Sequence, residues 1–147
     1  MQVTTSIHIN KPKEDVWQAI TDIEHSHKMI SGIQAIDVLE NPTSGLVGFK
    51  WRETRMLFGK EATEVMWITE AEENAFYRTR AESHGSIYLT EISLQSTSNG
   101  TQLTMNFTGL PQSILAKAMA FIMSPFFKSS LEKDLQNDLA DIKRFVE

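Results

Sequence analysis

The fold is decided by the stretch Gly100-Thr101-Gln102-Leu103-Thr104-Met105-Asn106-Phe107-Thr108-Gly109 and by the helical run that follows it to Glu147. Leu103, Met105 and Phe107 alternate with polar residues, which is the pattern of a half-buried β-strand. The sheet that ends in this strand can pack against one long helix, the run that follows it. We therefore predict a sheet packed against a C-terminal helix, an arrangement that can enclose a cavity for a small molecule.

The beginning of the chain predicts a strand followed by a helix. Residues 3–9 alternate as a strand does, and Pro12 suits a first helical turn because its missing N–H costs nothing there. Val16, Ile20 and Ile23 recur at helical spacing. Further strands are predicted near 36–38, 47–57, 62–70, 75–81 and 87–94. About seven strands with an early helical insert and a late helix predict the α+β class.

Composition limits the classes of function. A chain of 147 residues with 41% hydrophobic and 22% charged residues is expected to form one domain, residues 1–147, with a core large enough to fold alone. The net charge of −5 argues against a nucleic-acid partner, because phosphate binding needs a cationic surface. The absence of cysteine excludes disulfides and thiolate metal sites, and it fits a cytoplasmic protein.

Neither a secretion signal nor a transmembrane segment is predicted. Residues 1–10 lack the apolar core of a signal peptide. The most apolar stretch, Ile114 to Phe127, is interrupted by Lys117 and Pro125 and is shorter than the roughly 20 residues that a spanning helix needs. This stretch could be a lid over a cavity, a dimer face or a surface that touches a membrane. Both a monomer and a homodimer are compatible with it.

A charged pair continues the inward pattern of the third strand. Val47, Phe49 and Trp51 alternate, and the same parity continues to Glu53 and Arg55. The functional interpretation is a charged end to an apolar pocket, which would orient the polar head of a ligand. The structural interpretation is that a bulge or a sheet edge turns both residues to solvent, or that Arg55 and Glu64 form a merely structural pair.

The partner of Arg55 depends on the hairpin turn. A two-residue turn at Gly59-Lys60 places Arg55 opposite Glu64 and Trp51 opposite Ile68, whereas a three-residue turn places Trp51 opposite Trp67. We favour the first register because it provides Arg55 with a carboxylate, and it turns the even-numbered residues of the fourth strand inward.

The long C-terminal helix is expected to bend at Ser124-Pro125. The apolar stripes before and after this point lie on nearly opposite faces of an ideal helix, so one straight helix cannot bury both against one sheet. Proline also removes a backbone hydrogen bond. We expect residues 112–123 to border the mouth of the pocket and residues 126–146 to clamp the sheet.

Other candidate sites are weak. Arg78 and Arg80 alternate with inward residues and are expected on the outer face. His25 and His27 sit beside Glu24, but side chains two apart on a helix diverge, so no metal site is expected. The sequence contains no nucleophile elbow, phosphate-binding loop or dinucleotide fingerprint, and no cofactor is predicted.

Four motifs follow one another along the chain. They are Pro12-x-x-x-Val16-Trp17-x-x-Ile20-x-Asp22, the segment Gly45 to Trp51, Ile68-Thr69-Glu70 and the segment Gly100 to Gly109. In their order and spacing they resemble the START-like, helix-grip superfamily, in its polyketide cyclase/dehydrase-type branch. The resemblance covers nearly the whole chain, which departs from the pattern at Glu72-Glu73-Asn74, where a proline is often found.

This resemblance implies a curved seven-stranded antiparallel sheet that wraps around the C-terminal helix and encloses an apolar pocket, with short helices after strand 1. It implies no shared set of catalytic residues. The leading hypothesis is the binding or carriage of a small hydrophobic molecule, lipid- or polyketide-like. The alternatives are a cyclase, dehydratase or hydrolase that uses a pocket Glu/Arg pair, and a co-chaperone-like interaction module. The candidate ligand-binding residues are Trp51, Glu53, Arg55, Glu64, Met66, Tyr77, Tyr88, Met105, Phe107, Met119 and Met123.

Overall fold

The structure, a computed structural model, describes every residue except Phe58, and at Leu57, Met123 and Ser124 it describes the backbone alone. Among the described residues, seven strands form one antiparallel sheet in the order β1-β7-β6-β5-β4-β3-β2. The strands are β1 (Gln2–Ile9), β2 (Ile33–Glu40), β3 (Lys50–Leu57), β4 (Lys60–Glu72), β5 (Phe76–Ser83), β6 (Ser86–Thr97) and β7 (Gly100–Pro111).

Two short helices follow β1, as expected. Helix α1 covers Lys13–Thr21 and a 3-10 helix covers Ile23–Lys28. Val16 and Ile20 are buried in the core. The buried Tyr77 hydroxyl donates to the Ile20 carbonyl over 3.1 Å, which ties α1 to β5. The inserted helices thus close one end of the space between the sheet and the C-terminal helix.

The third strand begins later than its alternation predicted. β3 starts at Lys50, and Val47 is 54% exposed instead of facing the core. The backbone explains this difference, because Gly45 and Gly48 both have positive φ angles, 71° and 93°, that turn the chain before the ladder begins. The inward parity therefore holds for Trp51, which is buried, but not for Val47.

The preferred register of the β3–β4 hairpin is wrong by two residues. Leu57 pairs with Lys60, so Lys60 belongs to the strand, and Gly59 provides the positive φ of 76° in the turn. Glu53 lies opposite Glu64, and Arg55 lies opposite Ala62. A shift of two leaves every side chain on its predicted face, because the side-chain period of a strand is two.

The C-terminal helix α2 spans Ile114–Val146 and bends as expected. Its segments Ile114–Ile122 and Pro125–Val146 lie at 80° to each other. Ser113 caps the first segment by accepting a hydrogen bond from the Ala116 N–H. The second segment packs against the sheet, where Leu139 and Ile142 are buried.

The first segment does not line the cavity. Ile114, Phe121 and Ile122 are largely exposed, and no residue of Ile114–Ile122 lies on the cavity wall. The 80° bend carries the segment away from the space between the sheet and the second segment. Just before the segment, the Gln112 N–H donates to the Gly85 carbonyl over 2.8 Å, next to His84 of the cavity wall, and the role of residues 112–123 at the cavity mouth stays a prediction. No single helix in the described part of the chain is long and apolar enough to cross a membrane. The two segments of α2 reach that length and hydropathy only when they are taken together.

We expect the two segments of α2 to differ sharply in their contribution to stability. Leu139→Ala should lower the free energy of unfolding by about 2–5 kcal/mol, because it leaves a cavity in the core. Phe121→Ala, at an 87% exposed position, should change it by about 0.5 kcal/mol or less. Urea unfolding followed by tryptophan fluorescence measures both. A large loss from Phe121→Ala would show that the first segment packs against the body of the protein.

Candidate functional site

A cavity of about 380 Å³ lies between the sheet and the second segment of α2. Its walls come from the inward faces of β3 to β7, and α1 and the 3-10 helix close it with Ile20 and Ile23. On the helix side, Leu131, Leu135 and Ile142 complete the wall. The cavity exists because the sheet and the helix meet at β1 and β7, while the remaining strands leave space between the two layers.

Most of the cavity wall is apolar. Met66, Met105 and Ile92 contribute flexible aliphatic side chains, and Tyr88 and Phe107 stack with their ring centroids 5.7 Å apart. Methionine side chains adapt to irregular shapes, and stacked rings provide a flat apolar surface. This part of the wall can hold a hydrophobic body without forming directional bonds.

One end of the cavity carries a buried ion-pair network. The Arg55 Nε donates to Glu53 Oε2 over 2.6 Å, and Arg55 Nη2 lies 2.9 Å from Asp138 Oδ2. The indole Nε1 of Trp51 donates to the other oxygen of Glu53 over 3.3 Å. The network connects β3 to α2. Glu53 and Arg55 both line the cavity, and the expected Arg55–Glu64 pair is wrong because Arg55 pairs with Glu53 and Asp138. Their role in orienting a ligand stays a prediction.

Arg55 and Asp138 both have raised pKa values, for different physical reasons. Burial lowers the pKa of Arg55, but the neighbouring Glu53 and Asp138 outweigh it and hold that pKa above its ordinary value. Burial raises the pKa of Asp138, although the charge of Arg55 opposes this change. The guanidinium therefore stays charged, and its charge is matched by carboxylates of the protein.

Glu64, like Asp134 on α2, is a carboxylate of the wall without a partner among the described residues. Glu64 lies opposite Glu53 in the β3–β4 ladder and lines the cavity. Its carboxyl group has neither a hydrogen bond nor an ion pair in the described part of the chain, unlike Glu53. Burial raises its pKa and the nearby charge of Glu53 adds to this rise, whereas His84 and Arg55 oppose it. A ligand can therefore reach Glu64 without displacing a protein partner.

Nine of the eleven candidate ligand-binding residues lie on the cavity wall, and their role in ligand binding remains a prediction. Met119 does not line the cavity and is 51% exposed, because it belongs to the first segment of α2. The Met123 side chain lies outside the described residues. The nine are Trp51, Glu53, Arg55, Glu64, Met66, Tyr77, Tyr88, Met105 and Phe107.

Sequence reasoning missed the helix side of the charged network. Asp138 lies on the cavity wall and pairs with Arg55, and Asp134 lines the cavity one turn before it. A signal was present, because Asp138 falls three residues after Leu135 and four before Ile142, on the apolar stripe of the helix. A carboxylate in the middle of an apolar stripe indicates a buried partner.

The other candidate sites have no comparable geometry. Arg78 faces outward and pairs with Glu70 and Glu91, as expected for the outer face of β5. A groove of about 510 Å³ beside α1 is open and largely polar, and His25 on its edge pairs with Asp22. No group of three metal-ligating side chains occurs in the part of the chain that the structure describes.

Comparisons with known proteins place the chain in a family. The model of the family described as "Polyketide cyclase / dehydrase and lipid transport" matches residues 1–147. The chain belongs to this family. No curated protein matches it. The result confirms the resemblance to START-like and polyketide cyclase-type proteins that the sequence motifs indicated.

Solved structures of low sequence identity share the helix-grip fold of this polyketide cyclase and lipid transport family member. A protein from Thermus thermophilus is 14% identical with a TM-score of 0.82, covering 99% of this chain and 97% of its own. A START superfamily protein from Mycobacterium smegmatis is 14% identical with a TM-score of 0.79, with coverages of 99% and 96%. The Zhui aromatase/cyclase from a Streptomyces species is 12% identical with a TM-score of 0.75, with coverages of 99% and 93%.

We expect Arg55→Ala to destabilise this family member strongly. The change leaves Glu53 and Asp138 as unpaired, largely buried carboxylates and should cost roughly 3 kcal/mol in the free energy of unfolding. The control is Arg80→Ala, which breaks an exposed pair with Glu82 and should cost far less. Urea unfolding of both variants at pH 7 measures the difference. Equal losses would show that the network is not buried.

Glu64→Gln should stabilise the protein at neutral pH. Because the folded-state pKa of Glu64 is raised, ionising this group costs stability as the pH rises through that pKa. Glutamine removes the cost, so the variant should be more stable than the wild type at pH 7. The difference should vanish below about pH 4, the ordinary range of a Glu carboxyl. Unfolding curves from pH 3 to pH 8 test this, and a variant less stable than wild type at pH 7 contradicts it.

Proposed function

We propose that the whole chain acts as one ligand-binding domain that binds or carries a small hydrophobic molecule. The supporting observation is the internal cavity of about 380 Å³, whose wall is mostly apolar and ends in a few convergent charged groups. This volume lies in the usual range for small-molecule sites.

The arrangement of the wall supports a ligand with one apolar body and one polar end. Met66, Met105 and the stacked Tyr88–Phe107 pair surround the apolar part. Glu64 faces the opposite, polar part. A molecule of this kind, lipid-like or polyketide-like, would replace water on the apolar wall while keeping its polar end hydrogen-bonded.

A second candidate function is an enzyme of the cyclase, dehydratase or hydrolase type. The observation in its favour is Glu64, a carboxyl group in a cavity with a raised pKa and no partner among the described residues. A raised pKa makes a carboxyl group a better candidate for a general acid than one that is fully ionised. Arg55 is a poor oxyanion partner, because Glu53 and Asp138 already occupy it. Glu64 would therefore act as the acid or base without help from this arginine.

The interaction-module hypothesis has less support. This hypothesis requires a filled interior and an exposed apolar surface. The interior contains a cavity, so the first requirement is not met. The exposed side chains of Ile114–Ile122 meet the second one. Binding to a protein through this surface is compatible with binding a small molecule in the cavity, so this surface alone does not decide between the two functions.

A cavity-filling variant tests the proposed function. The neutral apolar dye N-phenyl-1-naphthylamine should bind the wild type with a rise in fluorescence. Met66→Trp fills the cavity and should weaken dye binding by about tenfold or more, since a steric block removes most of the contact. Val65→Trp changes the neighbouring residue on the outer face of β4 and should leave binding unchanged.

Two outcomes would overturn the carrier proposal. Dye binding that survives Met66→Trp would place the dye outside the cavity, for example on Ile114–Ile122. Conversion of a co-purified or added ligand, detected by native mass spectrometry and abolished by Glu64→Gln, would favour the enzyme.

A further inference from the structure

The charged groups on the cavity wall are predominantly acidic. Glu53, Glu64, Asp134 and Asp138 line the cavity, while Arg55 is the one arginine among the described lining residues and no lysine is among them. His84, in the turn between β5 and β6, is the remaining ionisable group near Glu64. A ligand in this cavity therefore meets an excess of carboxyl groups at its polar end.

The single arginine is already occupied. Its Nε donates to Glu53, and Nη1 and Nη2 donate to the two oxygens of Asp138 over 3.2 Å and 2.9 Å. A ligand carboxylate or phosphate would have to displace one of these buried carboxylates, which would leave that residue unpaired. Arg55 thus holds the wall together instead of offering a site for an anion.

Two carboxylates of the wall, Glu64 and Asp134, have no partner among the described residues. Glu64 is the one that faces a second carboxylate across the β3–β4 ladder. It has no hydrogen bond among the described residues, and it lies opposite Glu53, whose own oxygens are used by Trp51 and Arg55. A carboxylate next to another carboxylate gains most from a partner that carries positive charge. The apolar groups beside it, Met66 on the same strand among them, suit a hydrophobic body attached to that partner.

We propose that the cavity selects amphiphiles whose polar end is a protonated amine, with Glu64 as its counter-ion, and that it discriminates against fatty carboxylates. This inference rests on the proposed function and adds the class of ligand. The amine would donate hydrogen bonds to Glu64, and the apolar chain would lie against the Met66 and Met105 region of the wall. An alcohol of the same length could also donate to Glu64, but without the charge.

Three ligands of equal chain length test the proposal. Decylamine, decanol and decanoate are each used to displace N-phenyl-1-naphthylamine at pH 7 and low salt, where electrostatic differences are largest. We expect decylamine to bind about tenfold more tightly than decanol, because a charge-assisted hydrogen bond exceeds a neutral one. Decanoate should bind more weakly than decanol. Decanoate binding as tightly as decylamine would overturn the inference, as would decanol binding the most tightly.

Two matched variants separate a specific contact from the general charge of the protein. Glu64→Gln should remove most of the preference for decylamine over decanol. Glu91→Gln removes one negative charge from the outer face, where Glu91 pairs with Arg78, and should leave that preference intact. An unchanged preference in Glu64→Gln, or an equal loss in both variants, contradicts the assignment of Glu64. If the dye binds but no ligand shows a preference, the inference fails and the proposed function stands. If the dye does not bind at all, both fail.

Discussion

The ion pair between Arg55 and Asp138 joins the two layers of the structure at the point where they are otherwise apart. Helix α2 packs against β1 and β7, whereas the strands from β3 to β6 diverge from it and enclose the cavity. Arg55 on β3 reaches across this gap to α2. Ser31, just before β2, also donates two hydrogen bonds to Asp141 of α2, over 2.9 and 2.7 Å. The far side of the sheet is therefore tied to the helix by the largely buried Arg55–Asp138 pair together with this contact.

The same network sets the chemistry of the cavity. Buried charges must be paired, and the guanidinium of Arg55 is paired with two carboxylates of the protein. It therefore offers no free positive charge to a ligand. On the sheet side of the cavity, the carboxylate that remains is Glu64, placed opposite Glu53 where its ionised form is disfavoured. A carboxyl group that faces a cavity and whose ionised form is disfavoured is typical of a binding or catalytic site. The stability of the fold and the selectivity of the cavity are thus consequences of one arrangement.

Several features were predictable because they depend on local patterns. The period-two alternation of β3 and β4 indicated which faces turn inward, and an error of two in the register did not change them. The proline and the shift of the apolar stripe predicted the bend in α2. Where the bent segment points could not be derived in this way, because direction depends on the packing of the whole helix. The placement of Met119 on the cavity wall was wrong for that reason.

The amino-acid sequence by itself determined the fold class, the family and the inward faces of the strands, since periodicity and turn residues act over a few positions. The tertiary structure decided the rest. Val47 lies outside strand β3 because two glycines with positive φ turn the chain before Lys50. Asp138 meets Arg55 because the long Arg55 side chain reaches from β3 across the gap to α2, a contact between residues 83 positions apart. Long-range geometry decides which carboxylate is paired and which stays free. A contact between residues so far apart produces no periodic pattern in the sequence.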